Sequence, residues 1–146
     1  DTVLEWSGVS RIDALQAEVL YFRLSQLDDL IRLRQRNAGL YDQYIVKKNI
    51  LKPPTRDYEF NTYHTFVIHV KDRNNLIKYL KNHGIGTAIH YPIPIHLQPA
   101  SKFLKHKKGS FPETEKQASE ILTIPIHQNL IQSNLDWIVK CLNNFK

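Results

Sequence analysis

The chain of 146 residues is 42% apolar, which is enough for one domain with a hydrophobic core and argues against disorder. No apolar run approaches the roughly 20 residues of a membrane-spanning helix, and the acidic N-terminus is unlike a signal peptide. The single cysteine, Cys141, cannot form a disulfide within the chain and suits a reducing compartment. We therefore expect a cytoplasmic protein without a membrane partner.

Residues 11–45 have apolar side chains at three- and four-residue spacing, which predicts one long helix. Ser10 is its predicted N-cap, with Asp13 at the third helical position, and Gly39 is expected to mark a bend. A helix of about 35 residues is roughly 50 Å long, more than a small domain covers. Its first half should therefore pack on something outside this chain or on a second copy. The absence of methionine also leads us to expect a piece of a longer polypeptide.

The rest of the chain predicts a small α/β domain. Asp72 and Ser133 are candidate helix caps, Gly84 ends a helix, and Pro112 suits the first turn of another. The predicted elements are a strand at 62–70, a helix at 73–83, a strand at 85–92, a helix and then a short strand within 111–127, and a helix at 132–146. This order predicts an α/β fold with a long leading helix and helices on one face of a few-stranded sheet.

The segment GTAIHYPIPIHLQPA, residues 86–100, contains two histidines and three prolines. His90 and His96 suggest a metal site, but no acidic residue or cysteine lies within ten positions of either. We therefore expect no metal there and interpret the segment as a stiff loop after a strand. Glycine-rich phosphate loops and nucleophile motifs are absent, so the chain shows no catalytic constellation of its own.

Arg11 stands at the predicted start of the long helix. Free N–H groups and a guanidinium together favour phosphate or carboxylate binding, although an ordinary first-turn arginine explains the residue equally well. The net charge of +6 includes three basic clusters. They suit a phosphate or nucleic-acid surface or, more simply, solvated faces, and without a nucleic-acid motif we expect no nucleic-acid partner. The clusters are Arg32, Arg34 and Arg36; Lys47, Lys48 and Lys52; and Lys102, Lys105, Lys107 and Lys108.

Three segments together resemble the C-terminal part of the DegT/DnrJ/EryC1/StrS sugar aminotransferases: SRIDALQAEV, GIGTAIHYPIPIHLQPA and FPETEKQASEILTIPIHQNL. The resemblance runs from about Gly8 to the end. It implies the small domain of a fold-type I aminotransferase, with an active-site loop and connecting helix at 1–50 and the small α/β domain at 51–146. It also implies a homodimer, pyridoxal phosphate as cofactor, and amino transfer from glutamate to a keto sugar on a nucleotide diphosphate.

The resemblance also implies roles for particular residues. The family lysine that holds the cofactor has no counterpart here, so the isolated chain should not be catalytic. Arg11 matches the family arginine that meets the anionic part of the substrate, and His90 and Tyr91 match residues beside the substrate. The family asparagine that helps hold the cofactor phosphate is Val9 here, which cannot donate a hydrogen bond, so Ser10 is the substitute candidate.

Two other functional readings stay open on the sequence. Val9 and the missing lysine favour a non-catalytic relative that serves as a binding or assembly module. The basic charge alone favours a nucleic-acid module.

Overall fold

The computed structural model describes Thr2 and residues 11–146. Two short 3₁₀ helices span Ile95–Leu97 and Pro99–Leu104. The main elements are α1 (Ala14–Leu24), α2 (Leu27–Tyr44), β1 (Phe66–His69), α3 (Arg73–Asn82), α4 (Pro112–Glu120), β2 (Ile121–Ile124) and α5 (Gln132–Asn144). Within the described residues, no helix combines the length and apolar character needed to cross a bilayer.

The predicted helix over 11–45 is interrupted at Ser25 and Gln26, which separate α1 from α2. The Ser25 hydroxyl donates to the Phe22 carbonyl at 2.8 Å, a side-chain bond that competes with the helical backbone pattern. The leading helix also begins later than predicted, because Asp13 is its N-cap and accepts from the Leu15 N–H at 2.9 Å. The predicted cap, Ser10, lies outside the described residues.

β1 and β2 pair antiparallel, with Phe66 opposite Ile124 and His69 opposite Ile121. One further residue joins each edge: Leu51 pairs with His69, and Ala88 pairs with Thr123. β2 therefore lies between β1 and Ala88.

The predicted strand at 85–92 is reduced to the single pair at Ala88, so that prediction was too long. Pro92 and Pro94 have no N–H to donate, and the chain leaves the sheet before it reaches them.

One face of the sheet carries the core. Phe66 and Ile68 are fully buried, whereas the alternate β1 residues are half-buried. This alternation places the helices on one face, as the sequence predicted. The helices contribute these buried side chains: Ala38, Tyr41 and Ile45 from α2; Leu76 and Leu80 from α3; Leu135, Ile138 and Leu142 from α5.

The second half of α2 shares this core, although the sequence predicts a boundary near residue 50. That division into 1–50 and 51–146 stays a prediction. α1 contributes no buried residue.

Two helix ends near the sheet differ in how well local signals predicted them. Gly84 follows α3 with φ of 74°, and its N–H donates to Lys81, so a glycine at this left-handed position ends the helix as predicted. Ser133 is not the cap of α5, because the helix already begins at Gln132. Ile131 occupies the cap position, and its backbone N–H approaches Asn134 Oδ1 at 3.4 Å.

Candidate functional site

The exit of the chain from the sheet positions His90. Thr123, on β2, exchanges two backbone hydrogen bonds with Ala88, of 2.8 and 3.1 Å. The same Thr123 presents its hydroxyl to His90, with 3.0 Å between Oγ1 and Nδ1. Thr123 is buried in the sheet, so its hydroxyl holds the His90 ring from a well-packed position. We name His90 and the residue that follows it, Tyr91, the rim.

Tyr91 follows His90 through a cis peptide bond and is 60% exposed. The two rings meet edge to face with 5.5 Å between their centroids. Within the described residues, neither His90 Nε2 nor the Tyr91 hydroxyl has a hydrogen-bond partner. The rim therefore offers a ring nitrogen and a phenol that are free to bind a polar group from solvent.

The loop beyond the rim contains three prolines, and its stiffness stays a prediction. Pro92, Pro94 and Pro99 fix their backbone φ angles, and the Gln98 amide donates to the Ile93 carbonyl at 3.2 Å. Two 3₁₀ helices fill the remainder, and they present the buried His96 to the interior.

His96 has a structural partner that sequence analysis missed. Its Nε2 lies 3.0 Å from Glu115 Oε1, and the same carboxylate oxygen accepts from the Gly109 N–H at 2.7 Å. The Phe111 N–H approaches that oxygen at 3.5 Å. Burial raises the pKa of Glu115, but the hydrogen bonds from His96, Gly109 and Phe111 outweigh it and lower that pKa below its usual value. His96 therefore ties the proline-rich loop to α4.

No local signal pointed to this pairing, because 19 positions separate the two residues. Among the described residues, no three side chains of the types His, Cys, Asp or Glu come together in a way that would hold a metal ion.

Arg11 lies in the exposed segment before α1, three positions ahead of its first residue. It is therefore outside the first helical turn where the sequence placed it, because Asp13 delays the start of the helix. No hydrogen bond or ion pair of the described residues links Arg11 with the rim. The two other residues that the resemblance implicated, Val9 and Ser10, lie outside the described residues.

Two buried groups near the core carry no sign of reactivity. Cys141 is 2% exposed, and burial raises the pKa of its thiol, an effect that nearby Lys140 only partly offsets. Asn37 is fully buried on α2, and its amide donates to the His127 carbonyl at 3.1 Å. Both side chains therefore belong to the packing of the domain.

The fold is that of a small α/β domain of the aminotransferase type, and comparison with known proteins gives the family. The sequence profile of the DegT/DnrJ/EryC1/StrS aminotransferase family matches residues 5–143. This chain belongs to that family, as the resemblance of its three segments predicted.

Similar proteins include a "Pleiotropic regulatory protein" of Geobacillus stearothermophilus, 32% identical over 93% of this chain and 37% of that protein. A dTDP-3-amino-3,6-dideoxy-alpha-D-galactopyranose transaminase of Aneurinibacillus thermoaerophilus is 35% identical, with the same coverage of each chain. The crystal structure of S. venezuelae DesV in complex with a ketimine intermediate superposes with a TM-score of 0.84 at 30% identity, covering 91% of this chain and 36% of that one. The chain thus spans little more than a third of the relatives' length.

Proposed function

We propose that this chain is the C-terminal part of a pyridoxal phosphate-dependent aminotransferase. The enzyme transfers an amino group from glutamate to a keto sugar linked to a nucleotide, in deoxyaminosugar or surface-glycan synthesis in the cytoplasm. The observation that supports this function is the fold shared with DesV over 91% of the chain, with a TM-score of 0.84. The A. thermoaerophilus relative, named as a dTDP-sugar transaminase, supports the same substrate class.

The residues of this chain suit a substrate-facing role better than a cofactor-holding role. When bound, pyridoxal phosphate supplies the electron sink for amino transfer. Ser10 can offer a hydroxyl to its phosphate, whereas Val9, in the family asparagine position, has no side-chain donor. The rest of the cofactor site would lie outside this chain, together with the lysine that holds the cofactor.

The rim would bind the sugar. His90 and Tyr91 are both exposed and their rings are in contact, and a sugar presents hydroxyl groups that can donate to and accept from the imidazole and the phenol. Thr123 holds the His90 ring, so the orientation of that ring exists before the substrate arrives. Less freedom is then lost on binding.

Arg11 would bind the anionic diphosphate of the substrate in the neighbouring subunit. A guanidinium forms paired hydrogen bonds with phosphate oxygens, and the exposed position of Arg11 leaves it free to reach another molecule.

The homodimer would cover the apolar side chains of α1. The helix has no buried residue, and a free protein rarely leaves so many apolar side chains in water. The side chains exposed by half or more are Ile12, Leu15, Val19, Leu20, Tyr21, Phe22 and Leu24.

Substitution Arg11→Ala tests the substrate role of this residue. In the protein translated from the start codon of this reading frame, we expect nucleotide-sugar affinity to fall about 10- to 100-fold, because a charged hydrogen bond is worth roughly 1.5–3 kcal/mol, while the cofactor stays bound. Titration calorimetry with a dTDP-keto sugar measures the affinity, and the visible absorbance measures the cofactor. The control is Arg32→Ala, since Arg32 is exposed but paired with Asp29 at 2.9 Å. Unchanged substrate affinity in Arg11→Ala contradicts the role.

The overall reaction is tested on the protein translated from the start codon of the reading frame that encodes residues 1–146. With pyridoxal phosphate, glutamate and a nucleotide-linked keto sugar, mass spectrometry should detect the amino sugar and 2-oxoglutarate in equal amounts.

A second function, a non-catalytic binding or assembly module, is favoured by Val9 and fits the name of the G. stearothermophilus relative. It predicts nucleotide-sugar binding without turnover, and a start codon close to Asp1.

A further inference from the structure

The ten exposed residues 102–111, KFLKHKKGSF, comprise the end of the second 3₁₀ helix and the loop that leads to α4. We name this segment the basic loop. Four lysines lie within it, and no aspartate or glutamate occurs anywhere between Arg73 and Pro112. The nearest acid whose position is fixed, Glu115, already binds His96 and the backbone. Glu113 and Glu115 follow the loop, so residues 102–115, with four lysines and two glutamates, keep a net charge of +2 with His106 neutral.

Four of the six residues in the other two basic clusters have hydrogen-bond partners within the described residues. Arg34 donates to the Tyr63 and His64 carbonyls, and Arg32 pairs with Asp29. Lys52 donates to the Asp42 carbonyl. By contrast, the ammonium groups of the four lysines in the basic loop have no hydrogen bond or ion pair among the described residues. These four are Lys102, Lys105, Lys107 and Lys108.

The basic loop has a fixed shape. Lys105 takes a left-handed conformation with φ of 57°, and its N–H donates to the Lys102 carbonyl at 3.1 Å. The Lys107 N–H donates to Ser110 Oγ at 3.0 Å, and the Ser110 N–H returns to the Lys107 carbonyl at 2.9 Å. Glu115 anchors the Gly109 N–H. The lysines thus project from an ordered loop instead of a random tail.

Large apolar side chains are exposed among these lysines. Phe103 is 65% exposed and Leu104 is 45% exposed, both at the end of the 3₁₀ helix that opens the loop. Phe111 is 42% exposed, and its ring contacts His96 and His106 edge to face. Exposed apolar groups surrounded by lysines are the combination that lies at the boundary between lipid headgroups and acyl chains.

We propose that the basic loop is a peripheral docking site for an anionic lipid bilayer. Lysine ammonium groups would contact the lipid phosphates, while Phe103 and Leu104 would enter the headgroup boundary. Nucleic acid fits the loop less well, because arginine, which binds bases and phosphates in pairs of hydrogen bonds, is absent from it. This site is independent of the rim and of amino transfer.

From the sequence we expected no membrane partner, because hydropathy shows only whether a helix spans the bilayer. The structure adds that the four lysines of the basic loop are exposed beside exposed apolar side chains.

The test is co-sedimentation of the full chain with vesicles of phosphatidylglycerol and phosphatidylcholine in equal parts, against pure phosphatidylcholine. We expect binding to the anionic vesicles alone, and its loss at high salt, where the screening length falls from about 10 Å at 0.1 M to about 3 Å at 1 M. The triple variant Lys105→Glu, Lys107→Glu, Lys108→Glu should bind on the order of a hundredfold more weakly, at about fivefold per lysine.

The matched control is Lys71→Glu, Lys78→Glu, Lys81→Glu, which makes the same change of net charge at three other exposed positions. It should keep affinity within a few-fold. The variant Phe103→Ala, Leu104→Ala should weaken binding with the charge unchanged, and circular dichroism checks that each variant is folded. Equal losses in both lysine variants, no binding to anionic vesicles, or single-stranded oligonucleotide bound in their place would overturn the proposal.

Discussion

The Thr123 hydroxyl positions His90, which is distant from it in the sequence. Thr123 lies on β2, where its backbone N–H and carbonyl both form hydrogen bonds with Ala88. Its side-chain hydroxyl forms a hydrogen bond with His90. A threonine in a strand is an ordinary β-branched choice, so its sequence position alone says nothing of this contact. The histidine depends on a residue 33 positions away.

Substitution Thr123→Val keeps the shape of the side chain and removes the hydroxyl. We expect the free energy of unfolding to fall by about 0.5–1.5 kcal/mol, the usual net worth of one hydrogen bond. The His90 ring should also lose its fixed orientation, which nitrogen-detected NMR of the imidazole reports. Thr123→Ser is the control, since it retains the hydroxyl and should keep the wild-type ring signals. Identical His90 signals in all three proteins would show that the bond does not position the ring.

Glu115 is the second residue whose role lies in distant contacts. Because its pKa is lowered in the folded state, it stabilises the fold at pH values above the ordinary value of 4.5. That contribution is lost as the pH falls from there through the lowered folded pKa.

We expect Glu115→Gln to melt at a lower temperature at pH 7 and to lose less further stability below about pH 4.5 than the wild type. Thermal unfolding followed by circular dichroism across this range measures both effects. Glu113→Gln, an exposed change in the same turn of α4, should follow the wild type. If the two variants have the same pH profile, the carboxylate of Glu115 does not anchor the loop.

At the scale of elements, α1 and α2 differ in what covers them. α2 buries Ala38 and Tyr41 in the core, whereas α1 has no buried residue and retains exposed Leu15 and Phe22. The break at Ser25 separates the exposed helix α1 from the partly buried helix α2. A helix that is amphipathic but uncovered is stable only when another surface packs on it.

The double substitution Leu15→Glu, Phe22→Glu tests whether α1 forms the proposed dimer contact. Each charge would have to be buried in place of an apolar side chain worth roughly 1.5–3 kcal/mol, so the dimer should dissociate at least a hundredfold more readily. Sedimentation velocity measures the dissociation constant. The control is Val46→Glu, Ile131→Glu, two exposed apolar sites away from α1. Equal effects of both pairs would contradict an α1 contact.

At the scale of the whole molecule, Tyr41 connects α2 with the segment after β2. Its ring meets Phe66 edge to face at 5.2 Å, and its hydroxyl donates to the Pro125 carbonyl at 2.7 Å. The residue is fully buried, and burial raises its pKa above the ordinary value of 10.0. An unfolded chain therefore ionises at lower pH than the folded one, and stability falls as the pH rises above 10.0.

We expect Tyr41→Phe to lower the free energy of unfolding at pH 7 by about 1 kcal/mol, because the Pro125 carbonyl loses its donor inside the protein. The variant should also be less sensitive to alkaline pH than the wild type. Urea unfolding at neutral and alkaline pH measures both. Tyr44→Phe, at a half-exposed tyrosine on the same helix, is the control. A variant with unchanged alkaline sensitivity would refute the role of the buried hydroxyl.

The sequence by itself determined the elements whose signals are local. The spacing of apolar residues located α2, α3 and α5. Gly84 predicted the end of α3, because glycine readily adopts the left-handed conformation found there. Alternation located β1, and the matching segments gave the family before any fold was known. Each of these depends on neighbours within a few positions, or on a pattern that relatives retain.

Only the tertiary structure decided which residues meet. His96 finds Glu115, His90 finds Thr123, and Arg34 finds Gln128 across separations of 19, 33 and 94 positions. The sequence around a residue does not identify its distant partner, because that partner depends on how the helices and the sheet pack. The same packing brings Arg34 of α2 to the Tyr63 and His64 carbonyls and leaves the lysines of the basic loop in solvent, a distinction that composition and charge could not make.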